Sequence, residues 1–183
     1  PTELGTLYTL TELEALHEVC RRHAIPLYMD GARLSYALAA EENTLSLHDI
    51  ARLCDVFYIG GTKTGLLFGE AVVAHPGLLP HFFTLVKQHG ALLAKGRLLG
   101  LQFETLFTDG LYLRIARQAI TTALRLREAL LRKGYRPYID SPTNQLFFVL
   151  PNSEIDRLSQ YATFELWGAR GKEESVVLSL IHI

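Results

Sequence analysis

Two stretches decide the fold of this 183-residue chain: Leu27-Tyr28-Met29-Asp30-Gly31-Ala32-Arg33 and Asp55-Val56-Phe57-Tyr58-Ile59-Gly60-Gly61-Thr62-Lys63-Thr64-Gly65. Each begins as a short apolar run and ends at a polar or glycine tip, the pattern of a buried strand that stops at a sheet edge. Helical patterns lie before and between them. Leu10, Leu13, Leu16, Val19 and Cys20 fall on one stripe of a helix over Leu10–Ala24, Thr11 and Glu14 have capping-box spacing, and Pro26 forbids continuation. Ser46 is placed to cap a second helix ending at Leu53, with Asp49 favourable in its first turn. Glu70–Ala74 reads as a third strand, closed by the turn His75-Pro76-Gly77. Helix, strand, helix, strand at this spacing predicts crossover units on a parallel sheet, an α/β architecture. Open sheets of this kind bind ligands at the carboxyl ends of their strands. Asp30-Gly31 and Gly60-Gly61-Thr62-Lys63 are therefore expected at the same edge.

From about Leu78 the character changes. Leu92–Thr108 and Leu111–Lys133 are long helical patterns, and Gly134 suits a C-terminal cap. Tyr135–Asp140 and Leu146–Leu150 read as strands around the turn Ser141-Pro142, followed by a helix over Ser153–Thr163 and strand-like residues. This succession predicts two domains, residues 1–110 and a smaller α+β domain over 111–183.

Composition narrows the class. Eighteen basic against nineteen acidic side chains leave a formal charge of −1, so no global positive field exists to hold nucleic acid or an anionic membrane. Apolar stretches break well before the roughly 18 residues a membrane span needs. Cys20 and Cys54 lie in helical patterns with no C-x-x-C pair or metal-ligand spacing, which predicts buried reduced thiols in a cytoplasmic protein. No H-E-x-x-H or comparable spacing calls for a metal. The chain opens at Pro1 and its single methionine is Met29, so we expect a piece of a longer protein.

The chemistry concentrates in the two opening stretches. Aspartate-glycine at a strand tip is common in turns, and Arg33 beside Asp30 has an ordinary reading as a local ion pair. A solvated lysine in a glycine turn is likewise the bland account of Lys63. A phosphate-binding P-loop would need glycine directly before the lysine and another five positions earlier, but Thr62 and Phe57 stand there. Together the segments say more. An aspartate on one strand tip, an adjacent arginine and a lysine 33 residues later past the next strand match a pyridoxal 5′-phosphate site. That cofactor needs a lysine amine to condense with its aldehyde and an acid to keep its pyridine nitrogen protonated. A neighbouring cation favours its phenolate and depresses the lysine pKa.

These residues, with Pro1-Thr2-Glu3-Leu4-Gly5-Thr6-Leu7-Tyr8-Thr9 and Glu70-Ala71-Val72-Val73, resemble the low-specificity threonine aldolases of the aromatic amino acid β-eliminating lyase group. The resemblance extends to about Val177. It implies the large domain of pyridoxal phosphate fold type I over residues 1–110, in part, and a truncated small domain after it. It implies Lys63 as the Schiff-base lysine, Asp30 as partner of the pyridine nitrogen, Arg33 at the phenolic oxygen and substrate carboxylate, and Thr62 at the phosphate. The implied reaction is retro-aldol cleavage of a β-hydroxy-α-amino acid, such as threonine to glycine and acetaldehyde. The implied assembly is a homo-oligomer, a dimer or tetramer. A tryptophanase-like β-eliminating lyase, or a non-catalytic α/β fragment without cofactor, are the alternatives.

Departures from the family pattern bear on activity. The turn that grips the phosphate and the side chain that stacks on the ring are expected before Pro1. An arginine for the substrate carboxylate is expected just after Val176-Val177, where Leu178-Ser179-Leu180-Ile181-His182-Ile183 stands instead. Those six residues are expected to be a truncation or assembly scar, and the isolated chain to be inactive. His75, His81 and His89 read as surface or helix histidines, leaving the base for the β-hydroxyl unassigned.

Overall fold

The computed structural model describes residues 3–180. Helix α1 (Leu10–Arg22) leads into strand β1 (Tyr28–Met29), followed by helices α2 (Leu34–Ala39) and α3 (Leu47–Leu53) and strand β2 (Val56–Gly60). After a 3-10 turn over Thr62–Thr64 come strand β3 (Glu70–Ala74) and helices α4 (Phe82–Gln88), α5 (Arg97–Phe107) and α6 (Leu111–Arg132). Strands β4 (Arg136–Ile139) and β5 (Gln145–Pro151), helix α7 (Asn152–Leu158) and strands β6 (Glu165–Leu166) and β7 (Glu174–Leu180) complete the chain.

The first sheet has the order β1-β2-β3. β1 and β2 are parallel, as the crossover pattern predicts, with Tyr28 opposite Val56 and Met29 opposite Phe57. β3 departs from the parallel expectation and runs antiparallel to β2, Gly60 facing Glu70 and Val56 facing Ala74. Its connection explains why: the stretch 61–69 holds one tight turn and no crossover helix, so the chain returns as a hairpin. The second sheet is antiparallel throughout, in the order β4-β5-β7-β6. Leu178, Ser179 and Leu180 continue β7 in register with β5, so they are built into the sheet; residues 181–183 lie outside the described residues.

Several local expectations shift. The capping box of α1 is Thr9 with Glu12, two residues before the predicted pair: the Thr9 backbone N–H and hydroxyl donate to the Glu12 carboxylate at 2.8 and 2.9 Å. Those bonds hold the Glu12 carboxyl below its ordinary value. Ser46 and Asp49 form the reciprocal box on α3. Cys54 caps the end of α3 rather than lying within it, and burial pushes its thiol up to about 11, which keeps it protonated and inert. The helix expected over Leu92–Thr108 begins only at Arg97, and that expected over Ser153–Thr163 ends at Leu158. The stripe of α1 is only partly covered, with Leu13 buried and Leu16 and Val19 exposed.

Helix α6 organises the packing. Its apolar positions recur at helical spacing along 22 residues, so successive turns reach different neighbours. Tyr112 joins Leu13, Leu34, Ile50, Leu53, Phe57 and Ile59 under the first sheet. Ala116, Ala119 and Ile120 close on Tyr36 of α2 and on Ala40, which caps its end, where alanines let the two helices approach closely. Ala123 and Leu130 pack with Leu146, Phe148, Leu150 and Val177 of the second sheet. The chain start is tied to this second layer: Gln145 Nε2 donates to the Glu3 carbonyl at 2.7 Å, and Ser141 Oγ to the Gly5 carbonyl at 3.3 Å.

Candidate active site

The two stretches read from the sequence do meet. The Gly60 N–H donates to the Gly31 carbonyl at 2.9 Å, extending the β1–β2 pairing beyond the last strand residues. The approach tolerates only glycine. A Cβ on Gly31 would lie 1.7 Å from the Tyr58 carbonyl oxygen, and one on Gly60 would lie 2.3 Å from the Ala32 carbonyl oxygen. The interlock puts Asp30 and the lysine turn at the carboxyl end of β1 and β2.

Asp30 is exposed. Its Oδ1 accepts the Ala32 N–H at 2.9 Å, a tip-closing turn, and the Tyr58 hydroxyl at 2.6 Å. Arg33, half-buried, stands at the head of α2. Burial pulls its guanidinium below the ordinary value, opposed by the nearby Tyr36 and Asp30. Arg33 and Asp30 therefore attract one another across the strand tip.

Lys63 lies half-buried in the 3-10 turn, and among the described residues no carboxylate pairs with its amine. Its backbone is held firmly. The Tyr36 hydroxyl donates to the Lys63 carbonyl at 2.5 Å, and the Thr64 N–H donates to the Gly61 carbonyl at 2.9 Å. Thr64 is fully buried and its hydroxyl shares a 2.7 Å hydrogen bond with Ser35. Gly65 then takes φ +103, a left-handed conformation that ends the turn. Thr62 is exposed, and its hydroxyl donates to Glu70 Oε1 at 3.3 Å.

Glu70, Tyr36, Ser35 and Tyr58 are site residues the sequence reading did not single out. Glu70 carries the one usable signal, a charge opening an apolar strand just after a glycine. Its Oε2 accepts the Gly61 N–H at 2.8 Å, so one carboxylate ties β3 to both residues before the lysine. Glu70→Ala is expected to lower stability by about 1–2 kcal/mol, since the part-buried Gly61 amide loses its acceptor. Glu70→Gln keeps an acceptor for that amide and should recover most of the loss, as urea unfolding would measure. His75 is spoken for, its Nε2 lying 3.0 Å from the Ala51 carbonyl. His81 and His89 flank α4 at the surface.

A carboxylate, a cation and a half-buried amine thus share one sheet edge on a glycine-only backbone interlock. The beta-eliminating lyase family profile matches residues 2–136, and the chain belongs to that family. Within it, the chain is similar to threonine aldolases. A low specificity L-threonine aldolase from a Pseudomonas species is 37% identical over 119 residues, covering 64% of this chain and 34% of that protein. One from Pseudomonas aeruginosa is 35% identical over 128 residues, covering 69% and 37%. The solved structure of Leishmania major threonine aldolase superposes with a TM-score of 0.95 at 40% identity, over 98% of this chain and 53% of that one. The fold is therefore the α/β fold type I architecture, and the chain spans about half the Leishmania structure and about a third of the curated relatives. Among the described residues no helix is long and apolar enough to cross a membrane.

Proposed function

We propose that Asp30, Arg33, Thr62 and Lys63 belong to the pyridoxal 5′-phosphate site of a lyase that cleaves β-hydroxy-α-amino acids, threonine to glycine and acetaldehyde. The observation that carries the reading is the Gly31–Gly60 interlock, which brings the Asp30 carboxylate and the lysine turn to one strand edge. The donor set fits the cofactor: a carboxylate for its ring nitrogen, a cation for its phenolic oxygen, and an amine for its aldehyde. When bound, the cofactor supplies a protonated ring that accepts the electron pair of a breaking Cα–Cβ bond. Asp30 holds the proton on the ring nitrogen. Arg33 offers its guanidinium to the phenolic oxygen and to the substrate carboxylate, a pairing suited to its planar fork. Lys63 would hold the cofactor at its aldehyde through the side-chain amine. Thr62 is the candidate phosphate contact, and its bond to Glu70 sets where the hydroxyl sits.

The threonine aldolase names of the relatives at 35–40% identity favour this reaction over a tryptophanase-like elimination. We assign residues 1–110 to the cofactor-binding domain and 111–183 to the small domain. A homo-oligomer, dimer or tetramer, fits the exposed Phe82, Phe83, Leu85, Leu92 and Leu93, more apolar side chains than a lone subunit ordinarily leaves in one segment. The reading places the protein in the cytoplasm, in keeping with two free cysteines.

The test is to incubate the chain with millimolar pyridoxal 5′-phosphate, reduce with borohydride, and locate the fixed cofactor by peptide mass. The expected peptide carries Lys63. Label spread over Lys87, Lys95, Lys133 or Lys172, or no label, would overturn the reading.

A further inference from the structure

Tyr58 belongs to the strand that leads into the lysine turn, and nothing so far gives it a part in the chemistry. The parallel register sets Met29 opposite Phe57, so the next step along both chains brings Asp30 beside Tyr58. The phenol uses that proximity, donating to Asp30 Oδ1 at 2.6 Å, while the Ala32 N–H donates to the same oxygen at 2.9 Å. Two donors on one oxygen fix the plane of the carboxylate and hence the direction of Oδ2.

We infer that Tyr58 is a positioning residue for Asp30: its phenol aims the carboxylate at the cofactor's ring nitrogen and makes it a weaker base, so the proton stays on the ring. The inference rests on the reading of this edge as a pyridoxal phosphate site. A hydrogen bond to the ionised form of a carboxylate stabilises that form and lowers its basicity. A carboxylate lacking this donor competes harder for the ring proton. Asp30 helps keep the Arg33 guanidinium charged against the effect of its burial. Burial, the bond to Asp30, and the nearby Tyr28 and Glu70 all push the Tyr58 phenol far above its ordinary value. It therefore remains a donor throughout the physiological range. The Tyr28 ring packs 6.3 Å from that of Tyr58, centroid to centroid, so a phenylalanine would keep the same place.

Tyr58→Phe in the 183-residue chain tests this twice. In the ligand-free chain, the Asp30 carboxyl, followed by carbon-13 NMR, should titrate roughly one unit higher than in wild type, with thermal stability nearly unchanged. With millimolar pyridoxal 5′-phosphate labelled at the ring nitrogen, the nitrogen-15 signal should read protonated in wild type. In Tyr58→Phe it should move toward the unprotonated position, which Asp30→Asn defines, with affinity falling about tenfold. An unchanged Asp30 midpoint, or an unchanged ring-nitrogen signal and affinity, overturns the inference while leaving the site reading intact. A wild-type chain in which borohydride fixes nothing to Lys63 removes the site reading, and the role of Tyr58 with it.

Discussion

Lys63→Ala should abolish the long-wavelength absorbance that pyridoxal 5′-phosphate gains on condensing with the chain, and should leave the fold in place. The two expectations separate because of what holds the turn. The hydrogen bonds that fix it engage the Lys63 carbonyl, the Gly61 carbonyl and the Thr64 amide, none of which the substitution removes. The amine itself pairs with no carboxylate among the described residues, so its loss leaves no orphaned charge. A stability change within about 0.5 kcal/mol is therefore expected. The other lysines, Lys87, Lys95, Lys133 and Lys172, are exposed and remote in sequence from the Asp30 edge. A band that survives in Lys63→Ala with wild-type affinity would move the role to one of them. Where threonine cleavage is measurable in the wild-type chain, release of glycine and acetaldehyde should vanish with the band.

Gly31→Ala should be the most damaging small substitution at the site, at about 3 kcal/mol or more of folding stability. The clash is with backbone, the Tyr58 carbonyl oxygen at 1.7 Å from the added carbon, so no side-chain rotation relieves it. The two strand ends must part, which breaks the Gly60-to-Gly31 hydrogen bond and separates Asp30 from the lysine turn. Gly100 supplies the contrast. It lies inside α5 with nothing within 4 Å of an added Cβ, so Gly100→Ala should be neutral or stabilising by up to about 1 kcal/mol. Urea unfolding of the pair measures both. Equal midpoints would show that the interlock is not the constraint described.

Much of this edge is legible in the sequence. Asp30 and Lys63 could be placed together because short apolar runs ending in glycine report both a strand and where it stops. The antiparallel return of β3 was not legible, since strand polarity depends on the length of the connection and the four apolar residues after Glu70 read alike in either direction. Helix α2 was missed because Leu34–Ala39 is too short for a periodic pattern. With it went Ser35 and Tyr36, whose bonds to the lysine turn span 29 and 27 residues. Tyr58 and Glu70 share that character. Each acts on residues just past the end of a neighbouring strand, and only the register says which. Capping was misplaced by two positions because threonines stand at both 9 and 11, and the geometry of the chain entering α1 chooses between them.

Helix α6 carries side chains into three separate apolar clusters, and Tyr36, which grips the Lys63 carbonyl, rests on its middle turns. The two sheets are therefore expected to melt together. Fraying the second sheet uncovers Ala123 and Leu130, loosens the helix they belong to, and withdraws support from the phenol that steadies the lysine. Thermal loss of the distant sheet and loss of order at the lysine turn should coincide in a single transition, with one α-helix as the mechanical link between them.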